Sequence, residues 1–244
     1  MSRSTRLAMF VLLTMICLLT AVATTIAARR DEGDSKRSSD GPGDSAAIEG
    51  GVVDCANLIY GRHKTSVCFS HDFLIQAEKI SNIRTTRRFT PVEMDSQELY
   101  LHPFAIMTGE GRFKLTDAQR DNLRGYLLAG GFVVASGGCS NYLWNQSFHD
   151  EIERVFPNIK LKRLPMTHPV FHTIYDIDFL TAKKSGSNPY LEALIIDGRI
   201  VLVYSKDGLN DTANAGPNCC CCGGNEIRNA RQVNVNLLAY ALTH

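Results

Sequence analysis

Four consecutive cysteines, Cys219-Cys220-Cys221-Cys222, followed at once by Gly223-Gly224, place four sulfurs where the backbone bends easily. Thiolates hold soft metal ions and exchange disulfides. Cys219 and Cys222 have the C-x-x-C spacing that lets two sulfurs on a turn reach one metal, zinc or another thiolate-bound ion. Such an ion needs further ligands, and Cys220, Cys221, Cys55, Cys68, Cys139, His63 and His71 are the candidates. The competing use is a set of disulfides, Cys55–Cys68 plus bonds from the run. Side chains of adjacent cysteines diverge and rarely bridge each other, so four in a row fit a simple disulfide plan poorly. The two uses stay open.

A second constellation suits nucleophilic catalysis. Gly137-Gly138-Cys139-Ser140-Asn141 follows an apolar run, and a nucleophile elbow needs small residues two before and two after its nucleophile on a sharp strand-to-helix turn. Glycine stands at the first of those places and asparagine, which tolerates positive φ, at the second. The thiol of Cys139 would need a base, supplied by His168 or His172, with Asp176 or Asp178 to orient it. A second glycine turn, Thr108-Gly109-Glu110-Gly111, offers backbone amides to an oxyanion and Glu110 as a proton acceptor or orienting group. Each feature also has a plain structural use: a buried inert cysteine, a tight turn, a solvated glutamate.

The elements that must position these residues follow from periodicity. Ala56–Tyr60, Phe89–Val92, Phe104–Thr108 and Phe132–Ser136 read as strands, the last two as continuous apolar runs of the kind buried on both faces. Asp72–Ile80 and Trp144–Phe156 read as helices. Between them lies a helix announced by Thr116 and Gln119, a capping box, and stopped by Gly130-Gly131. Ile159–Leu161 reads as a short strand, and Leu191–Ile196 and Arg199–Tyr204 flank the hairpin dipeptide Asp197-Gly198. A last helix is expected over Glu226–Leu242. Alternation of strand and helix predicts a three-layer α/β domain with a mostly parallel sheet and one antiparallel hairpin toward the C-terminal end.

The N-terminus supplies the compartment. Arg3 and Arg6 precede the apolar run Leu7–Leu19, and Ala21-Val22-Ala23 forms an A-x-A site, the pattern of a secretory signal peptide. Weak apolar character to Ala28 keeps an uncleaved anchor as the alternative, and either places the rest of the chain outside the cytoplasm. The expected organisation is a leader or anchor over 1–28, a flexible polar linker over 29–50 and one domain over 51–244. Lysine and arginine total 26 against 25 acidic residues, without the basic excess that nucleic-acid binding calls for. Of eight cysteines, Cys17 falls in the leader, and the odd number left in an oxidising compartment means that one is free, metal-bound or paired with another chain.

Asn57-Leu58-Ile59-Tyr60-Gly61, Pro103 through Gly109, Leu123-Arg124-Gly125-Tyr126-Leu127, His168-Pro169-Val170-Phe171-His172 and Leu238 through Thr243 together resemble a bacterial family known only as a domain of unknown function. That resemblance covers nearly all of residues 51–244. It implies a flavodoxin-like, class I glutamine amidotransferase-like fold, often in envelope-associated proteins, and hence protein partners in the cell envelope, with membrane contact only through an uncleaved N-terminal segment. Against true glutamine amidotransferases, Cys139 stands in the place of the nucleophile, with Gly109–Gly111 earlier and His168 later. Asn141 replaces the elbow's second glycine, and Val170 stands where the Glu of the His-x-Glu pair belongs. The sequence therefore favours a non-catalytic binding or assembly domain with a cysteine-rich structural or metal site. The alternative is a cysteine-dependent hydrolase using Cys139, His168 and Glu110.

Overall fold

Apolar runs that lack any polar face must be covered on both sides, and the architecture does this. The structure, a computed structural model, describes residues 51–219 and 224–244, which belong to the unit Glu49–His244. The expected leader, the linker and Cys220, Cys221 and Cys222 lie outside the described residues. Strands β1 (Val53–Ile59), β2 (Thr85–Glu93), β3 (Phe104–Gly109), β4 (Phe132–Gly137), β5 (Lys162–Arg163), β6 (Glu192–Ile196) and β7 (Arg199–Ser205) form one sheet in the order β2-β1-β3-β4-β7-β6-β5. The pairings from β2 to β7 are parallel; β7–β6 and β6–β5 are antiparallel. Four helices cover the sheet among the described residues: α1 (Asp72–Ile80), α2 (Asp117–Leu128), α3 (Tyr142–Val155) and α4 (Ala230–Thr243).

Successive side chains of a strand point to opposite faces, so each buried strand feeds two cores. Phe104 and Ile106 of β3 and Phe132 and Val134 of β4 pack with Phe73, Leu74, Val233 and Leu237 of α1 and α4. Ala105, Met107, Val133 and Ala135 pack with Leu123, Tyr126, Trp144 and Phe148 of α2 and α3. The result is three layers, as the sequence predicts. The hairpin forms where expected. Asp197 and Gly198 take φ of 50° and 80°, the pair of positive values a two-residue type I′ turn requires. Thr116 accepts from the Gln119 amide and the Gln119 side chain returns to the Thr116 backbone, so the capping box starts α2.

Three expectations are corrected. The weak strand at Phe89–Val92 is the end of the nine-residue β2, whose outer positions are polar because it is an edge strand. Ile159–Leu161 is not a strand: Ile159 and Leu161 turn into the α2/α3 core, and only Lys162 and Arg163 reach β6, opposite Ala193 and Glu192. The last helix begins at Ala230 and not at Glu226. Ile227 donates its amide to Gly208 O and bridges Ala182, which holds that stretch extended, while Glu226 is turned inward to accept from Thr212.

Candidate functional site

The carboxyl ends of β3, β4 and β7 meet, and in an open α/β sheet that edge is where ligands bind. Thr108, Ser136 and Ser205 stand in register across the three strands, each ending an apolar run, and all three are fully buried. A buried hydroxyl without a partner costs about 1–3 kcal/mol; Ser205 Oγ has none among the described residues, whereas Thr108 and Ser136 have partners. Asn210, from the loop after β7, bonds to both. Its amide nitrogen donates to Thr108 Oγ1 at 2.8 Å, and its oxygen accepts from Ser136 Oγ at 2.6 Å. Leu209 N donates to Ser136 Oγ at 2.7 Å and Ser70 N to Asn210 O at 2.8 Å. Tyr60 OH donates to Thr108 O at 3.0 Å and in turn accepts from Trp144 Nε1 at 2.5 Å. The edge is plugged by a connected polar network.

Beside that network the chain turns sharply. Cys139 and Ser140 both adopt left-handed backbone, φ 53° and 52°, which non-glycine residues rarely do. The Ser140 hydroxyl holds the turn, sharing its proton between Asn225 O at 2.5 Å and Asp207 O at 3.2 Å. Gly138 is required by close approach: a Cβ there would sit 3.1 Å from Gly109 O and 3.0 Å from Glu110 Cγ. The two glycine turns thus meet, and Cys139 Sγ lies 3.4 Å from Glu110 Oε1.

Elbow and triad part company in what the neighbours do. Asn141 Oδ1 caps α3 by accepting from Trp144 N at 3.0 Å, and it also accepts the Gly111 amide at 3.1 Å. The amide that would face an oxyanion is thereby taken. Cys139 is disulfide-bonded. A disulfide sulfur carries no proton, so the approach to Glu110 becomes a thiol-to-carboxylate hydrogen bond only on reduction. The space left at the turn, lined by Cys139, Lys183, Asn210, Asn225 and Glu226, is about 10 Å³, room for about one water.

His168 is not in this group. Its ring lies 6.0 Å from that of Tyr240, in the last turn of α4, and its Nδ1 accepts from Val170 N as a cap. Asn225, just before the start of α4, is beside Cys139; from Ala230 to Tyr240 the helix advances roughly 15 Å. Burial, aided by His244, holds the His168 pKa below the usual imidazole value. His172 is engaged locally: its Nδ1 pairs with Asp176 and its Nε2 lies 2.8 Å from Met166 O. The bond to Asp176, then that to Met166, raises its pKa. His172, Asp176 and Asp178 form the one metal-like cluster among the described residues, and all three are exposed. Both ring nitrogens of His172 are already engaged within the protein, one by Asp176 and one by Met166 O.

Of the described cysteines expected to share a metal, two are bonded to each other and one lies apart. Cys68 and Cys219 form a disulfide across 151 residues, Cα–Cα 4.8 Å, tying the loop after β1 to the segment that follows β7. Cys55 is fully buried in the α1/α4 core, where desolvation pushes its pKa up to about 12. It is neither a disulfide partner of Cys68 nor an accessible thiolate. His63 and His71 are exposed, and His63 lies 3.4 Å from Glu93. Sequence reasoning missed Asn210, Ser136 and Thr108. The available signal was a hydroxyl residue closing each of two otherwise apolar strands.

Residues 65–242 match the model of a family described as a domain of unknown function, DUF4159. No curated protein matches the chain.

Asn210→Ala removes two buried hydrogen bonds, taking the amide from Thr108 Oγ1 and leaving Ser136 Oγ with the Leu209 amide but no acceptor for its proton. It should lower the unfolding free energy of the oxidised protein by about 2–4 kcal/mol in urea titration. For His172, the folded-state pKa is raised, so its contribution is present below the unfolded value of about 6.5 and is lost as pH rises through the folded value. An NMR titration should place His172 above a free histidine, and Asp176→Asn should bring it down.

Proposed function

The chain belongs to the DUF4159 family, and on that premise we propose that it is an exported, non-catalytic binding or assembly domain of the cell envelope, built on the flavodoxin-like, class I glutamine amidotransferase-like plan and stiffened by disulfides at the carboxyl edge of its sheet. The strand order supports the fold reading: the five parallel strands run β2-β1-β3-β4-β7, the doubly wound order of flavodoxin-like domains, with the antiparallel β6 and β5 added at one edge. The leader pattern of residues 1–28, the polar linker after it and the disulfide chemistry support export, since disulfides persist in oxidising compartments. Among the described residues no helix is long and apolar enough to cross a membrane, so membrane contact would run through the N-terminal segment. Partners are then proteins of the envelope, bound at the surface.

One observation carries the non-catalytic reading: the sulfur of Cys139, in the nucleophile's place, is in a disulfide beside an oxyanion amide that Asn141 occupies. A nucleophile must be a thiolate with a free approach. The 3.4 Å approach of Cys139 to Glu110 and the two left-handed residues favour a second reading, a cysteine-dependent hydrolase active only when reduced. It would have to work without His168.

Alkylation by iodoacetamide of protein purified without reductant, followed by peptide mapping, separates the two. The binding-domain reading expects no modified Cys139 until a dithiol is added, and no hydrolysis of ester or amide substrates before or after. Stoichiometric labelling of Cys139 in unreduced protein, or turnover in reduced protein that Cys139→Ser abolishes, would establish the hydrolase instead.

A further inference from the structure

Outside the plugged edge, a groove of about 450 Å³ opens on the α2/α3 side of the same strand ends. Three crossovers build it. Arg112 follows the glycine turn after β3, Lys206 follows β7 directly, and Tyr142, Gln146 and Asp150 stand on the first turns of α3, after β4. Asn145 fixes the floor by donating to Lys206 O at 3.3 Å.

The lining has three chemical demands. Arg112 and Lys206 are exposed, and neither is in an ion pair among the described residues. Lys206 Nζ instead lies 4.8 Å from the centroid of the Tyr190 ring, which the Arg163 guanidinium also covers, at 4.6 Å. Two cations therefore share one ring, and the first turn of α3 contributes no acid to offset them. The helix N-terminus adds its partial positive charge, so this end of the groove calls for an anion. Tyr142 is 69 % exposed, and its hydroxyl is held by Gln146 Nε2 at 2.7 Å. It presents a fixed aromatic face. Asp150 and the Gln146 carbonyl oxygen are acceptors, and they call for hydroxyl donors.

Few ligand classes meet all three demands. Inorganic phosphate suits the cations alone and is repelled by Asp150. A neutral sugar leaves both cations without a partner, and a polyanion such as nucleic acid offers Asp150 mostly phosphate. We propose that this groove binds an acidic saccharide, a uronate-type sugar whose carboxylate meets Arg112 and Lys206, whose ring covers Tyr142 and whose hydroxyls donate to Asp150 and Gln146. The inference rests on the reading of the domain as a binding module and deepens it by naming a ligand class.

Calorimetric titration of the oxidised protein with hexagalacturonate tests it, with the carboxyl-reduced form of the same oligosaccharide and inorganic phosphate as comparisons. The expected result is saturable binding that weakens with salt, and that is about tenfold or more weaker for the carboxyl-reduced form. Lys206→Gln and Tyr142→Ala should each weaken it about tenfold, one removing the charge and the other the ring, while Lys79→Gln on α1, on the opposite face, leaves it unchanged. All three positions are exposed, so the variants fold. No binding, binding indifferent to Lys206→Gln and Tyr142→Ala, or full competition by phosphate each overturns the saccharide site. Because alkylation of Cys139 reads a different part of the edge, any of these results leaves the non-catalytic reading standing, and a labelled Cys139 leaves the titration unaffected.

Discussion

Asn210 is the side chain on which the carboxyl edge depends. Parallel strands that are buried on both faces must end somewhere, and here the apolar runs of β3 and β4 give way, one residue before each strand ends, to hydroxyl residues that never reach water. One amide satisfies both, because its donor and acceptor are spaced to match Thr108 and Ser136 at adjacent register positions. In doing so it draws the loop after β7 down onto the sheet, and Asn234 of α4 fastens the same loop by donating to Leu209 O at 2.8 Å. Buried hydrogen bonds that polarise one another are worth more together than singly, and of the three strand-end hydroxyls Ser205 Oγ stays outside the network. The disulfide Cys68–Cys219 secures the segment beyond this loop against the first crossover, and closing so long a loop restricts the unfolded chain strongly.

This closure decides what chemistry the edge can support. Strained backbone at Cys139 and Ser140 has the look of a catalytic turn, and strain often marks function. Here the neighbours account for it structurally. Ser140 is clamped to Asn225 and Asp207, Asn141 serves as helix cap, and the Cys139 sulfur is in a covalent bond. Fold alone does not confer activity, and an edge filled with its own side chains has no room for a substrate. The open volume has moved to the outer side of α3, where Arg112, Tyr142 and Lys206 are presented from three different crossovers. A rigid sheet edge is well suited to hold such a surface, because residues on fixed elements lose little freedom on binding.

Local rules made much of the fold legible. Apolar runs gave β3 and β4, the Thr116–Gln119 pair gave the start of α2, and Asp197-Gly198 gave the hairpin. Errors fell where a distant contact overrides local pattern. Ile159 and Leu161 are apolar because they enter the α2/α3 core, not because they pair in the sheet, and Glu226 reads as helix until Thr212 captures it. The site was less legible still. Cys55 and Cys68 are near in sequence, yet strand alternation turns Cys55 into the core while Cys68 leaves the loop toward Cys219, 151 residues away. Spacing cannot reveal a bond of that kind. His168 follows Cys139 in the order expected of a triad, but order along the chain says nothing about which end of a helix a residue faces. Asn210 was hidden among other polar loop residues, and only the buried hydroxyls opposite it distinguish its role.

Native-state hydrogen exchange at the amides of Leu209 and Ser70 tests the closed edge most directly. Leu209 N donates to Ser136 Oγ and Ser70 N to Asn210 O, so both belong to the network and to no regular element. If the edge is a cooperative part of the fold, both should exchange only through global unfolding, with protection that falls with denaturant as steeply as that of the β3 and β4 core amides. Exchange of both through a local opening, fast and insensitive to denaturant, would show a mobile loop over an accessible edge and contradict the account.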